Sequence, residues 1–249
     1  MFTPEGQLPE GVGFAPFGPV HLWMLGLLAG ISAPVVILGC RMGRENRIRL
    51  LKVLSGTMLV MEIIKTVTLG AIGAFSVGYL PLHLCSLALY LCLFFAWHPD
   101  SVTGGQLVWC VCLPAGLSAL LFPDWTHMPI WHFQSLHSFL YHAMMVEIAL
   151  IAVISGMARP RVGRTWRVMV FLTAAAAVIY PVDLALRTNY MFLLRPLAGT
   201  PLELCARLPG QAGYLLGFTL LAAAVTAALA LPFTLWDAVL RRRTGTGKM

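Results

Sequence analysis

The sequence predicts an all-α membrane protein: a polytopic bundle of about seven transmembrane helices forming a single domain over residues 1–249, with the N-terminus outside and the C-terminus in the cytoplasm. Three observations predict it. Hydrophobic residues make up 59% of the 249 and charged residues only 11%, with a mean hydropathy of +0.81, more apolar than a water-soluble core requires. The apolar residues fall into stretches of about 20, the length that crosses a bilayer as a helix. Lys and Arg are concentrated in alternate connections, which predicts orientation.

Residues 1–19 are Gly- and Pro-rich and contain no Lys or Arg. Lacking the basic start of a signal peptide, the first span is expected to stay attached. The hydrophobic stretches run over 21–38, 53–72, 80–97, 107–122, 137–154, 168–186 and 214–235, the fourth barely long enough. Arg41, Arg44, Arg47, Arg49 and Lys52 follow the first; Arg159, Arg161, Arg164 and Arg167 follow the fifth; Arg241, Arg242, Arg243 and Lys248 form the tail. Seven crossings put all three groups on one side, and leave only Arg187, Arg195 and Arg207 on the other. The net charge of +7 therefore reads as a topology signal, and no nucleic-acid partner is expected. Gly26, Gly30, Pro34, Pro181 and Pro232 predict kinks and close helix approach, and the alanine run 174–177 permits tight packing. No internal repeat of the inverted-transporter kind is visible. Six cysteines (Cys40, Cys85, Cys92, Cys110, Cys112, Cys205) define no disulfide framework.

Ionisable residues inside a bilayer are costly and usually face the bundle interior. Here they gather toward the outer half. His83 and Cys85 open the third span, and His132, His137 and His142 start the fifth. Asp124 and His127 lie in the loop before it, Asp183 and Arg187 close the sixth, and Glu62 and Lys65 sit within the second. Pro81 is expected to begin the third helix and put Cys85 in the next turn, where the positive end of the helix dipole favours a thiolate nucleophile. His83, two residues away, would point about 200° from Cys85 on a regular helix. His132 or His137 is then the better base. The competing reading is that Cys85 is a small packed residue, as most free cysteines are. The histidines at 132, 137 and 142 are five apart, about 140° around a helix, and lack the i, i+4 spacing of a zinc helix, so no metal or other cofactor is expected. Glu62 with Lys65, and Asp183 with Arg187, are expected to pair as helical neighbours. A proton path through the first pair and a lipid-phosphate clamp at Arg187 are the functional alternatives. Glu147 is expected to be protonated or to meet Lys65.

The strings Leu80-Pro81-Leu82-His83-Leu84-Cys85, Phe122-Pro123-Asp124, His132-Phe133-Gln134-Ser135-Leu136-His137-Ser138-Phe139-Leu140-Tyr141-His142 and Asn189-Tyr190-Met191 resemble the bacterial YwaF-type integral membrane proteins, which are similar to eukaryotic transmembrane protein 164. The resemblance covers the third to sixth spans and the following loop. It departs after Leu208, where Pro209-Gly210-Gln211-Ala212-Gly213 replaces a Trp-containing stretch. It implies an acyltransferase that moves a fatty acyl chain between a phospholipid and a lysophospholipid, with a nucleophilic cysteine corresponding to Cys85. The function expected is thus a multi-pass cell-membrane acyltransferase or hydrolase acting on membrane lipids through a Cys85 thioester. His137 or His132 would be the base and Asp124 or another acid would orient it, with His83, His142, Asp183, Arg187 and Asn189 in support. A transporter, or a small-molecule or metal-binding protein using the same histidines, is the second expectation.

Overall fold

Backbone N–H and C=O groups in hydrocarbon have no water to bond, so an apolar stretch of this length is satisfied within itself as a helix. The structure, a computed structural model, describes residues 7–9 and 11–243, the last three as helix backbone. The expectations for Met1, for the arginine side chains of the tail and for Lys248 lie outside these residues. All elements among the described residues are helical. They are α1 (Pro19–Arg41), α2 (Arg44–Ala71), α3 (Leu84–Trp97), α4 (Val102–Leu107), a π-helical turn (Val108–Cys112), α5 (Leu113–Leu121), α6 (Phe133–Ile154), α7 (Thr165–Leu186), the short α8 (Leu202–Cys205) and α9 (Gly210–Arg243), with 3₁₀ turns at Val77–Tyr79, Val162–Arg164 and Tyr190–Phe192.

Six helical units among the described residues are long and apolar enough to cross a membrane: Pro19–Arg41, Val77–Trp97, Val102–Leu121, Phe133–Ile154, Val162–Leu186 and Gly210–Leu240. The chain is thus a multi-pass membrane protein. The remaining hydrophobic stretch forms α2, a 28-residue helix packed on α3 and α6 and carrying Glu62 and Lys65 along its length. The Val102–Leu121 unit is longer than the fourth apolar stretch suggested, because Ser101 caps its start by accepting the Gly104 N–H.

α6 is the central helix, in contact with α1, α2, α3 and α5. Its Met145, Ile148 and Ile151 are fully buried with Phe95 of α3 and Val108 of the π-turn. α1, α7 and α9 instead turn Trp23, Val178 and Trp236 outward, as helices solvated by lipid do. The close helix approaches are not at Gly26 and Gly30, which face open space, but at Gly39 and Gly116. A Cβ on Gly39 would meet Ile151 at 2.9 Å, and one on Gly116 would meet the His142 carbonyl at 3.0 Å. Only glycine lets α1 and α5 lie this close to α6.

The two ends of the bundle differ. At one, Arg44 pairs with Asp100 at 2.5 Å, Arg161 with Asp237 at 2.6 Å, and Arg167 bonds Thr103 at 2.7 Å. Arg47 closes the α1–α2 turn by donating to the carbonyls of Gly39, Cys40 and Met42. The connections after α1, α3 and α6 therefore meet at this basic end. The opposite end carries connections 72–83, 122–132 and 187–209.

Candidate functional site

At that opposite end a cavity of about 760 Å³ opens between the helices. Its wall includes Cys85, His83, His137, His142, Asp124, Glu62 and Lys65, brought together from three helices and two connections. His132, Asp183, Arg187 and Asn189 are not part of the wall.

Cys85 comes from the start of α3. The helix does not begin at Pro81. Residues 80–82 form a tight turn, with Leu82 N–H on the Leu80 carbonyl at 2.7 Å, and His83 is the extended N-cap. Cys85 is therefore the second residue of the helix, one turn closer to its N-terminus than expected. No side chain caps this start, and with the Ser86 N–H on the His83 carbonyl at 3.0 Å the N–H groups of Leu84 and Cys85 are left for other partners. Because His83 precedes the helix, its side chain is not governed by the helical repeat. It faces the Gly78 carbonyl at 3.3 Å and meets the Tyr190 ring edge-on at 5.0 Å.

His137 and Tyr141 share one face of α6, at i and i+4. Their rings stack at 5.5 Å and 20°, and the Tyr141 hydroxyl donates to the Cys85 carbonyl at 3.2 Å. Tyr141 thus touches both the candidate nucleophile's backbone and the candidate base. His137 Nε2 is buried without a hydrogen-bond partner, and the nearest acid is Glu62, whose Oε2 lies 3.8 Å away. The other Glu62 oxygen accepts from Lys65 at 2.7 Å, the helical pair the spacing predicts. Asp124, read as the acid that orients a histidine, lies exposed on the cavity wall. Glu62 is instead the acid beside His137. The contact joins α2 to α6, a pairing that spacing within one helix does not reveal. His142 bonds the Ser138 carbonyl at 2.7 Å and stacks on Trp125 at 5.6 Å and 11°.

His132 is the N-cap of α6, its Nδ1 accepting the Gln134 N–H at 3.3 Å. Asp183 does not pair with Arg187. Its Oδ1 accepts from Thr188 at 2.8 Å and from the Tyr190 N–H at 2.7 Å, while Arg187 ends α7 in the left-handed conformation at φ 55°. Asn189 holds the next connection, its Oδ1 accepting from Leu194 and Arg195 N–H and its amide donating to the Arg195 carbonyl at 3.0 Å. Tyr190 is fully buried and its hydroxyl bonds the Val77 carbonyl. Burial pushes this phenol up, which keeps the hydroxyl a donor. These residues shape the connection that supplies Met191, Phe192 and Thr200 to the wall. Glu147 meets Ser32 of α1, not Lys65.

All six cysteines are free thiols. Among the described residues no three His, Cys, Asp or Glu side chains are grouped so as to hold a metal ion. Tyr141 and Glu62 are the residues that sequence reasoning did not assign to the site. Tyr141 was legible as the residue four after His137.

No curated protein and no solved structure matches the chain. The sequence model of the TMEM164 family matches residues 16–230, from the connection before α1 to deep within α9, and on that match the chain belongs to the TMEM164 family.

Proposed function

We propose that the protein is a membrane-embedded lipid acyltransferase or hydrolase that works through an acyl-thioester on Cys85. The observation that carries this reading is that Cys85, at an uncapped helix start, and His137 line the same cavity, which is polar at its loop end and apolar deeper. In the first step His137 takes the thiol proton and Sγ attacks the carbonyl carbon of a phospholipid ester. The C–S bond forms, the C–O bond breaks, and the departing glycerol oxygen takes the proton from His137. In the second step a lysophospholipid hydroxyl, or water, gives its proton to His137 and attacks the thioester. The new C–O bond forms, the C–S bond breaks, and the departing Cys85 thiolate recovers the proton from His137. First-turn N–H groups of α3 would receive the carbonyl oxygen as it gains charge. Glu62 would stabilise the imidazolium, and Tyr141 would fix the ring.

Cys85→Ala should reduce acyl transfer and hydrolysis to background in membranes with equal protein, whereas Cys92→Ala, on the buried face deeper in α3, should retain them. His137→Gln should slow both turnover and site-resolved thiol labelling of Cys85. The reading fails if Cys85→Ala membranes form the same acyl-lipid products as the unaltered protein.

We further assign the basic end to the cytoplasm of the cell membrane and the cavity end to the outside, because Lys and Arg accumulate on the inner side. An impermeant thiol reagent applied to intact cells should label a cysteine placed at Thr126 and spare one placed at Arg159. The reverse pattern would invert the assignment.

A further inference from the structure

We propose that the deep half of the cavity seats a single fatty-acyl chain and that the π-turn closes its far end, so that chain length governs whether a bound lipid reaches the floor. This chamber deepens the acyl-transfer reading and rests on it.

Away from the loop end the cavity wall is apolar, built by Leu172 of α7, Phe218, Leu221, Ala222 and Val225 of α9, and Ala115 of α5. Burial of chain methylenes against such a wall is favourable because it removes apolar surface from water. Its far limit is marked by Cys110 and Thr226, which line it and meet each other, the Cys110 thiol against the Thr226 carbonyl at 3.8 Å. Beyond them Trp109 donates to the Leu229 carbonyl at 2.9 Å and packs edge-on against Phe233 at 5.5 Å, a plug outside the cavity wall.

The depth of this floor follows from α3. The Cys112 thiol meets the Ala88 carbonyl at 3.5 Å, so the two are level, and Ala88 lies three residues, about 4.5 Å, beyond Cys85. Cys110 is two residues farther, which puts the floor about 8 Å below Cys85. One leaflet of hydrocarbon is about 15 Å deep. A chain attached at Cys85 and directed into the chamber reaches the floor well before a membrane-length chain ends. The volume of about 760 Å³ lies within the range of about 300–1,000 Å³ that encloses one small ligand, room for one chain and a headgroup.

The test uses purified full-length protein in amphipol, labelled with methyl methanethiosulfonate and read cysteine by cysteine by mass spectrometry. Palmitoyl- and butanoyl-lysophosphatidylcholine are each added at the concentration that slows Cys85 labelling equally. The palmitoyl lipid should slow Cys110 labelling about tenfold or more and the butanoyl lipid should leave it unchanged, a contrast of the size that apolar pockets give. Palmitoyl protection of Cys110 should persist in Cys85→Ala protein, because it requires no turnover. An inert Cys85 and an absent chamber therefore give different results. Ala222→Phe, which fills the chamber, should abolish palmitoyl protection of Cys85 and keep butanoyl protection. Three outcomes overturn the proposal: Cys110 that does not react in lipid-free protein, protection of Cys110 that is the same for both lipids, or Ala222→Phe protein that still excludes neither. The second would mean that the chain leaves sideways into the bilayer above the floor.

Discussion

Two ion pairs of similar length sit at opposite ends of the bundle, and they do different work. Arg44 and Asp100 meet at 2.5 Å with side chains 56% and 85% exposed. Lys65 and Glu62 meet at 2.7 Å with side chains 16% and 13% exposed. The exposed pair sits in high dielectric and contributes about 0–1 kcal/mol. In the proposed orientation its arginine belongs to the group that marks the inner side. The sunken pair carries a desolvation cost that an apolar pair would avoid, and its geometry shows what that cost maintains: with Lys65 on one Glu62 oxygen, the other is left toward His137. The comparison teaches that charge at the basic end is solvated and loosely held, whereas charge at the cavity end is sunken and held against His137.

The largest effect that would break this comparison is at the sunken pair. Lys65→Met leaves Glu62 uncompensated and should lower stability by about 3–5 kcal/mol, whereas Lys65→Met with Glu62→Gln should recover most of it. Thermal unfolding in detergent measures both. If the single substitution costs no more than the double, water reaches the pair freely and the contrast collapses. A neutral contact at the same end sharpens it. Asn189→Ala strips an acceptor from the Leu194 and Arg195 N–H groups and should cost about 0.5–1.5 kcal/mol, with faster proteolysis of the 187–209 connection as its local signature. The smallest effect belongs to the basic end: Arg44→Ala should change unfolding by less than about 1 kcal/mol. A larger loss would mean that Arg44 serves more than orientation.

The bundle was legible in the sequence because the bilayer forces it: long apolar stretches have one backbone solution, and basic residues mark the connections on one side. Contacts between helices were less legible. The Glu62–Lys65 pair follows from i, i+3 spacing, yet the approach of Glu62 to His137 depends on how α2 lies against α6. Glu147 likewise found Ser32 instead of Lys65. The start of α3 was misplaced because proline is equally at home in a first helical turn and in the turn before it, and here His83 keeps extended dihedrals. Asp183 and Arg187 have the spacing of a pair, but α7 ends at Leu186, between the two, and the carboxylate is claimed by Thr188 and Tyr190 that follow. Gathering Cys85, His83, His137, His142 and Asp124 onto one wall was anticipated from depth alone. Putting His132, Asp183, Arg187 and Asn189 elsewhere required the caps and turns that only the folded chain supplies.

The π-turn at Val108–Cys112 has a mechanical consequence. There the Leu113 N–H reaches the Val108 carbonyl, one residue farther than in an α-helix. Each α-helical residue advances the phase by about 100°, so this extra residue decouples the angular settings of α4 and α5. Below it, Gln106 is keyed to Arg161 by two hydrogen bonds. Above it, Gly116 is keyed against α6 while Ala115 and Ser118 face the cavity. Neither setting dictates the other. Substitutions that repack α4 at the basic end can be absorbed without turning the α5 face, but deleting one residue from the π-turn would restore a single phase and rotate Ala115 and Ser118 out of the cavity wall.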